Sequence, residues 1–199
     1  AKLDVILCVL APRLNIAAPN VPAEAFTKAE KRDMMSVRGD GIAVIDISGS
    51  LVNRVPFGVE AESGLSSYEE LANELEKASL DESVRGIVLR IDSPGGVVSG
   101  LTDVTQAVEK ANSIKPVWAS VDDNAFSAAY WIASATERIY VTETGSVGSI
   151  GVIARHIDQS KANEAEGIAV TEITAGAHKA DFSPHRPLSG DARDRLQEV

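Results

Sequence analysis

The stretch GIVLRIDSPGG, residues 86–96, decides the fold class of this chain. Its first half is a short apolar run behind a glycine, which is typical of a buried strand. Its second half is a turn with one proline and two glycines. The apolar positions that follow recur at helical spacing, at Leu101, Val104, Val108 and Ala111. The stretch therefore predicts a strand, a tight turn and a helix in direct succession.

The same alternation extends to both sides of this stretch. Short apolar runs predict strands at Ile42–Ile47, Ile87–Ile91, Val117–Val121, Ile139–Val141, Ile150–Ala154 and Val170–Ile173. Helical spacing predicts helices over Tyr68–Ala78, Leu101–Ala111, Ser127–Ala135 and Ile157–Glu166, and a loop is expected over Asp122–Phe126. Alternating strands and helices, with continuous apolar strands, indicate an α/β fold with a mainly parallel sheet and covered faces.

The first helix carries a start signal of its own. Ser66 and Ser67 each stand three residues before a glutamate, the spacing of a capping box.

Residues 1–38 are predicted to form a partly helical lead-in that prolines interrupt, and Ala23–Met35 is helical in composition. We expect the main folded domain to occupy residues 39–199 and to be truncated at its C-terminus, inside a charged helix.

Composition excludes several classes of protein. The chain has 199 residues and a net charge of −10, which disfavours binding to a nucleic-acid backbone. Its one cysteine, Cys8, permits no internal disulfide and lies in an apolar stretch. No segment approaches the ~20 apolar residues that a membrane helix needs. The histidines and carboxylates show no metal-ligand spacing, so neither a metal nor another cofactor is expected.

Two motifs could place a nucleophile beside an oxyanion site. Gly95 and Gly96 follow a strand, where their N–H groups could face a developing negative charge, although a tight turn alone would also require glycine. Ser127 follows a strand and a short loop and opens an apolar helix among small residues. Serine is also a common N-cap residue, so a capping role and a catalytic role both remain open from the local sequence.

A third motif, AGAHKAD at residues 175–181, places a lysine in a turn. Such a lysine is ordinarily a solvated charge. A lysine can act as a general base near neutral pH only if burial against apolar groups, or a nearby cation, favours its neutral form. The turn alone does not decide between these roles.

Taken together, the motifs resemble the signal peptide peptidase A family of Ser–Lys serine peptidases, over about residues 41–197. The shared stretches are Gly49–Val52, Ser93–Gly96, Ser127–Ala133, Thr144–Val152 and the Lys179 turn. The resemblance implies a ClpP/crotonase-like spiral of βαβ units and no cofactor. It also implies that Ser127 is the nucleophile and Lys179 its base. The remaining implied roles are an oxyanion hole at Gly96 and Ala128, and a hydroxyl at Ser149 that orients the lysine.

Within the family, residues 144–152 and 175–197 are most similar to the capsid-maturation proteases of tailed bacteriophages. This similarity implies protein or peptide substrates, among them phage scaffold and capsid proteins, and a location in the host cytoplasm or inside the prohead. The alternative is a bacterial signal peptide peptidase, associated with the membrane through an anchor outside this chain. Small and apolar residues, Val97, Ala125 and Phe126, are the candidates for the substrate pocket.

Three other functions are weighed against the Ser–Lys peptidase. A ClpP-like protease would use a histidine base, for which His156 is the candidate, whereas His178 and His185 are expected on the surface or the substrate side. A crotonase-like acyl-CoA enzyme would need the glycines without the Ser–Lys pair. An inactive scaffold would need neither the glycines nor the Ser–Lys pair, yet this sequence has the expected residue type at every implied catalytic position.

The resemblance also bears on assembly. The chain contains one SPGG turn, one serine helix and one lysine turn, and short bacterial members of the family build the site across neighbouring protomers. We therefore expect a ring-like homo-oligomer in which Ser127 and Lys179 come from different subunits. A site complete within one chain is the alternative.

Overall fold

The computed structural model describes residues 33–55 and 64–198 and divides into two compact units, within Ala1–Gly151 and Val152–Val199. The described strands of the first unit are β1 (Met35–Val37), β2 (Ile42–Ser48), β3 (Ser50–Val52), β4 (Leu65–Ser67), β5 (Gly86–Ser93), β6 (Val117–Phe126), β7 (Arg138–Val141) and β8 (Ser146–Gly148). Its helices are α1 (Tyr68–Leu80), α2 (Leu101–Ile114) and α3 (Ala128–Ser134). The described part of the second unit contains α4 (Ser160–Ala165) and α5 (Gly190–Gln197).

The main sheet has the strand order β1-β2-β5-β6-β7, with β8 paired to the end of β6. All of its pairings are parallel except that of β1 with β2. A short parallel pair, β3 and β4, forms a second sheet. Because α2 joins β5 to β6 and α3 joins β6 to β7, successive βαβ units build the sheet, and the predicted α/β fold with a mainly parallel sheet is confirmed.

The helices cover one face of the sheet. Ile45, Leu89 and Val121 on that face are fully buried, as are Leu75 of α1 and Val108 of α2. Ser67 caps α1, and its side chain accepts a hydrogen bond from the Glu70 N–H at 3.4 Å. The apolar periodicity and the capping signal were therefore sufficient to locate this helix.

The other face is more open than the sequence predicted. Burial alternates along β2, and on its less buried side Asp46 accepts two hydrogen bonds from Arg90, each 2.7 Å long. Trp118 on β6 is 38% exposed. The expectation of two covered faces is wrong for this sheet. Successive side chains of a strand point to opposite faces, and burial alternates with them even where the residues are uniformly apolar.

The end of β6 also differs from the prediction. The loop predicted over Asp122–Phe126 is wrong, because these residues belong to β6, and Asn124, Ala125 and Phe126 pair with the strand β8. The polar side chains at 122 and 123 are exposed, so they are compatible with a strand. In register, Ser93 lies opposite Ala125, which brings the carboxyl ends of β5 and β6 together.

Two predicted strands are absent from the described residues. Residues 150–154 are not a strand, because Ser149 and Gly151 have φ of 54° and 132°, which interrupts an extended chain. Residues 170–173 are also not a strand, since no described segment pairs with them. The helix predicted over Ile157–Glu166 is confined to α4.

The lead-in lies mostly outside the described residues. Of the predicted helical stretch Ala23–Met35, the described end is not helical, because Met35 begins β1 and pairs with Ile45. Cys8 also lies outside the described residues. Among the helices that the structure describes, none has the length and apolar character to cross a membrane.

Candidate functional site

Ser127 lies between β6 and α3 in a backbone conformation that is unusual for a residue with a side chain. Its φ and ψ are 53° and −120°. Conformations of this kind cost on the order of 1–3 kcal/mol and persist only where the surrounding structure enforces them. Here the Ser127 N–H donates to the Gly148 carbonyl at 2.8 Å, and its own carbonyl accepts from the Trp131 N–H at 3.0 Å.

The capping role that the sequence left open for Ser127 does not apply. Ser127 occupies the N-cap position of α3, but its side chain accepts no hydrogen bond from that helix. The residue is half-buried, and its hydroxyl is not committed to capping the helix. A strained serine between a strand and a helix is the arrangement by which α/β-hydrolases present a nucleophile.

The Ser93–Gly96 turn packs directly against Ser127. A side chain at Gly95, whose φ is 99°, would place its Cβ 2.7 Å from the Ser127 Cβ. Ser93 is fully buried, donates to the Gly49 carbonyl at 2.6 Å and accepts from the Gly95 N–H at 3.1 Å. Glycine is therefore required at 95 both for the dihedral angle and for the close approach.

Two backbone N–H groups next to Ser127 remain available. Leu51 bonds to both neighbours of Gly96: its N–H donates to the Gly95 carbonyl at 2.9 Å, and its carbonyl accepts from the Val97 N–H at 3.0 Å. No acceptor for the Gly96 N–H lies among the described residues. Ala128 is the first residue of α3, where an N–H has no intrahelical acceptor. These two donors could stabilise an oxyanion formed at Ser127.

Ser149 is joined to the same site through the backbone. It follows Gly148, the residue that accepts the Ser127 N–H, and its own φ is 54°. Its side chain is exposed. The two serines with positive φ are therefore connected by one hydrogen bond: Ser127 donates it, and Ser149 directly follows the residue that accepts it. Local sequence patterns do not reveal this connection.

The three candidate pocket residues differ in accessibility. Val97 is 46% exposed and Phe126 is partly exposed, whereas Ala125 is completely buried opposite Ser93. The sequence pattern indicates Tyr68 only as an apolar position of α1, and no local signal points to a role near the site. Tyr68 is 2% exposed, and its hydroxyl donates to the Val97 carbonyl at 2.8 Å, just beyond the glycine turn.

We expect Tyr68→Phe to weaken both the fold and the site. Burial raises the pKa of Tyr68 to about 12, so the phenol stays protonated and keeps donating across the working pH range. Removing it leaves a carbonyl without its donor, at a cost of about 1–2 kcal/mol in the free energy of unfolding, and loosens the turn that carries Gly96. Urea denaturation and kcat/KM measure the two effects, and Tyr140→Phe, at a half-exposed tyrosine, is the control. Wild-type values in both assays would contradict a role for this bond.

Lys179 belongs to the second unit. It lies in the predicted turn, its N–H donates to the Gly176 carbonyl at 3.4 Å, and its side chain is exposed. A depression of about 530 Å³ adjoins it, with apolar walls at Ile173, Phe182 and Pro184. The first unit thus brings Ser127, the glycine turn and Ser149 together, and the second unit presents the lysine.

The three histidines all have partners within the second unit. The His156 Nε2 lies 2.9 Å from the Ser183 carbonyl, a contact that ties the ring to the backbone. His178 contacts Asp181 at 3.1 Å, and His185 contacts Asn163 at 3.0 Å. Among the described residues, no group of three or more histidine, cysteine, aspartate or glutamate side chains could hold a metal ion.

The chain matches one peptidase family and two phage proteins. Residues 96–199 match peptidase family S49. Capsid assembly protease C of Escherichia phage lambda is 35% identical over 97% of this chain and 47% of its own length. Head-tail preconnector protein GP5 of Enterobacteria phage P21 is 38% identical over 96% of this chain and 39% of its own. The chain thus spans less than half the length of both relatives.

More distant matches include other peptidases and acyl-CoA enzymes. A putative signal peptide peptidase SppA of Enterococcus faecium is 27% identical over 71% of this chain and 44% of its own length. Among solved structures, the 1510-N membrane-bound stomatin-specific protease is 19% identical, with a TM-score of 0.43 over 57% of this chain and 49% of its own. An enoyl-CoA hydratase/isomerase family member is 16% identical, with a TM-score of 0.44 over 83% of this chain and 56% of its own.

Proposed function

This chain belongs to peptidase family S49, and on that premise we propose that it is a serine endopeptidase with Ser127 as nucleophile and Lys179 as general base. The observation that carries the proposal is the strained backbone of Ser127, which lies against Gly95. Its side chain does not cap the helix α3. A serine that only capped a helix would bond to that helix and would not need a left-handed φ.

The reaction proceeds through an acyl-enzyme. The Ser127 Oγ attacks the peptide carbonyl while the Lys179 Nζ accepts the hydroxyl proton, and the N–H groups of Gly96 and Ala128 stabilise the resulting oxyanion. The intermediate collapses by cleaving the C–N bond, and the lysine returns the proton to the leaving amine. Water then attacks the ester carbonyl while the lysine accepts its proton. The bond between the acyl carbon and the Ser127 Oγ breaks, the lysine returns the proton to that oxygen, and the acid product is released.

We further propose that the enzyme is a homo-oligomer. Lys179 is exposed in the isolated chain, whereas a lysine base needs a desolvated site. Large apolar side chains of the second unit are exposed as well, among them Ile153 at 87% and Ile173 at 95%. A neighbouring protomer that covers this surface would both bury apolar area and desolvate the lysine.

The proposed substrates are phage scaffold and capsid proteins, which places the enzyme in the host cytoplasm or inside the prohead. Support comes from the named role of the phage lambda relative in capsid assembly, together with its coverage of nearly the whole chain. Signal peptide degradation is the less favoured function, because the SppA relative is 27% identical and matches 71% of the chain. Capture of uncleaved partners by a Ser127→Ala variant distinguishes the two substrate classes.

A labelled fluorophosphonate tests the peptidase directly. It should modify Ser127 alone, as located by mass spectrometry, and labelling should disappear in Ser127→Ala. Ser134→Ala is the matched control, because Ser134 lies at the other end of α3 and bonds only to the Trp131 carbonyl among described residues. A folded wild-type protein that remains unlabelled, or is labelled elsewhere, would contradict the assignment.

Ser149→Ala should reduce activity less than loss of either catalytic group. If the hydroxyl only orients the lysine, its removal should lower kcat by about 10- to 100-fold, as for groups that orient catalytic ligands elsewhere. Steady-state kinetics on a peptide substrate measure this, with Ser146→Ala on the neighbouring strand as control. An unchanged kcat would remove Ser149 from the mechanism.

A further inference from the structure

The turn that carries Lys179 is held from one side by a single carboxylate. Asp181 stands two residues after the lysine, and its side chain is only 11% exposed. Its Oδ2 accepts from the Arg195 guanidinium at 2.6 Å and lies 3.1 Å from the His178 Nδ1. Asp181 therefore joins both ends of the segment His178–Asp181 to helix α5.

Arg186 reinforces the same turn. It donates to the Ala180 carbonyl, the residue next to the lysine, and lies 3.9 Å from both the Asp181 Oδ1 and the Glu172 Oε2. Two arginines from different parts of the second unit thus converge on the residues that follow Lys179. The backbone bonds within the turn are long by comparison, at 3.4 Å for both the Lys179 and Asp181 N–H groups. The bonds that Arg195 and Arg186 make to this segment are thus shorter than the backbone bonds of the turn at Lys179 and Asp181.

Helix α5 provides an ordered support for this arrangement. Ser189 caps it by accepting from the Ala192 N–H at 3.2 Å, and Ala192 is completely buried. Arg195 lies in its last turn and bonds to Asp181. The pKa of Asp181 is lowered: burial alone would raise it, but the hydrogen bond and charge of Arg195, followed by those of His178, outweigh that effect. The carboxylate is therefore charged at neutral pH and can accept the hydrogen bond from Arg195.

We propose that Asp181 is the positioning residue for the general base: it sets the direction in which Lys179 leaves its turn, through its bonds to Arg195 and His178. This inference rests on the proposed Ser–Lys mechanism. Asp181 itself transfers no proton. Its contribution is to restrict the turn to one conformation, because a base misplaced by even 1 Å loses much of its effect.

Asp181→Asn tests the proposal with little change in size. Without the charge, Arg195 loses its charge-assisted bond and the turn gains freedom, so we expect kcat to fall about 10- to 100-fold while KM changes by less than about threefold. The rate at which a fluorophosphonate modifies Ser127 should fall by the same factor. Asp181→Glu, which keeps the carboxylate, should recover part of the loss. Asp194→Asn makes the same change at an exposed position of α5 and should behave as wild type.

The double variant separates positioning from a general structural effect. In a Lys179→Ala background, Asp181→Asn should not slow the modification of Ser127 any further, because the group that it positions is absent. An equal loss in both backgrounds, or a wild-type kcat in folded Asp181→Asn, would overturn the proposal. If Asp181→Asn does not fold, Arg195→Lys, which keeps the charge but loses the planar fork, is judged by the same criteria. Failure of the Ser–Lys mechanism would show separately, as near-normal turnover of Lys179→Ala alone.

Discussion

Ser127→Ala and Lys179→Ala should each reduce peptidase activity to background while the chain remains folded. Both groups act in one proton-transfer step, so removing either one leaves the other without a function, and the double variant should be no worse than the single ones. In serine proteases such losses reach about 10⁶-fold in kcat. Turnover of a peptide substrate and circular dichroism of each variant measure activity and folding.

His156→Ala is the control for the identity of the base. Its ring contacts the Ser183 carbonyl at 2.9 Å, so its removal should cost some stability of the second unit but retain most turnover. The Ser–Lys assignment would be wrong if Lys179→Ala kept near-normal kcat while a folded His156→Ala lost it. That result would favour a ClpP-like mechanism with a histidine base.

The second large effect is expected from mixing two inactive proteins. If Ser127 and Lys179 of one site come from different subunits, combining Ser127→Ala with Lys179→Ala should restore activity from almost nothing. Some interfaces in the mixture then unite a wild-type serine with a wild-type lysine. For random exchange of equal amounts in a ring where each site uses two neighbours, about a quarter of the sites should be active. That fraction should fall when either variant is in excess.

Two controls make the mixing experiment decisive. Subunit exchange is verified by native mass spectrometry of differently tagged variants, and Ser127→Ala mixed with the double variant Ser127→Ala/Lys179→Ala should stay inactive. Absence of recovery despite verified exchange would mean that each chain carries its own complete pair. The exposed apolar side chains of the second unit, Ile153 and Ile173 among them, would then need a different partner.

The sequence identified most of the residues that these experiments change. Several of the predicted elements followed from patterns that span only a few neighbouring residues. The helix α1 follows from its apolar spacing and from Ser67, since a cap and the residues that it bonds lie within one turn. The strand β5 and the turn after it follow from the apolar run and the glycines in the same way. Family resemblance added roles for Ser127 and Lys179, which the local patterns left undecided.

Other features depended on contacts between distant segments. The polar end of β6 is a strand because β8 pairs with it, and burial alternates along β2 because helices cover one face of the sheet. The contact of Gly95 with Ser127, and the bond from Tyr68 to Val97, each join segments about 30 residues apart in sequence. No local pattern encodes such a contact, since it exists only once the strands have taken their register.

The sequence alone thus predicted the α/β class and the succession of strand, turn and helix over residues 86–111, and it supplied the residues proposed for the site. Only the tertiary structure decided that the backbone of Ser127 is strained and that its side chain does not cap α3. The same holds for the hydrogen bond that connects Asp181, in the lysine turn, to Arg195 of α5. The physical reason is the range of the interactions. Helix spacing and capping act within a few residues, whereas the positive φ of Ser127 and the ion pair of Asp181 are maintained by groups brought together by folding.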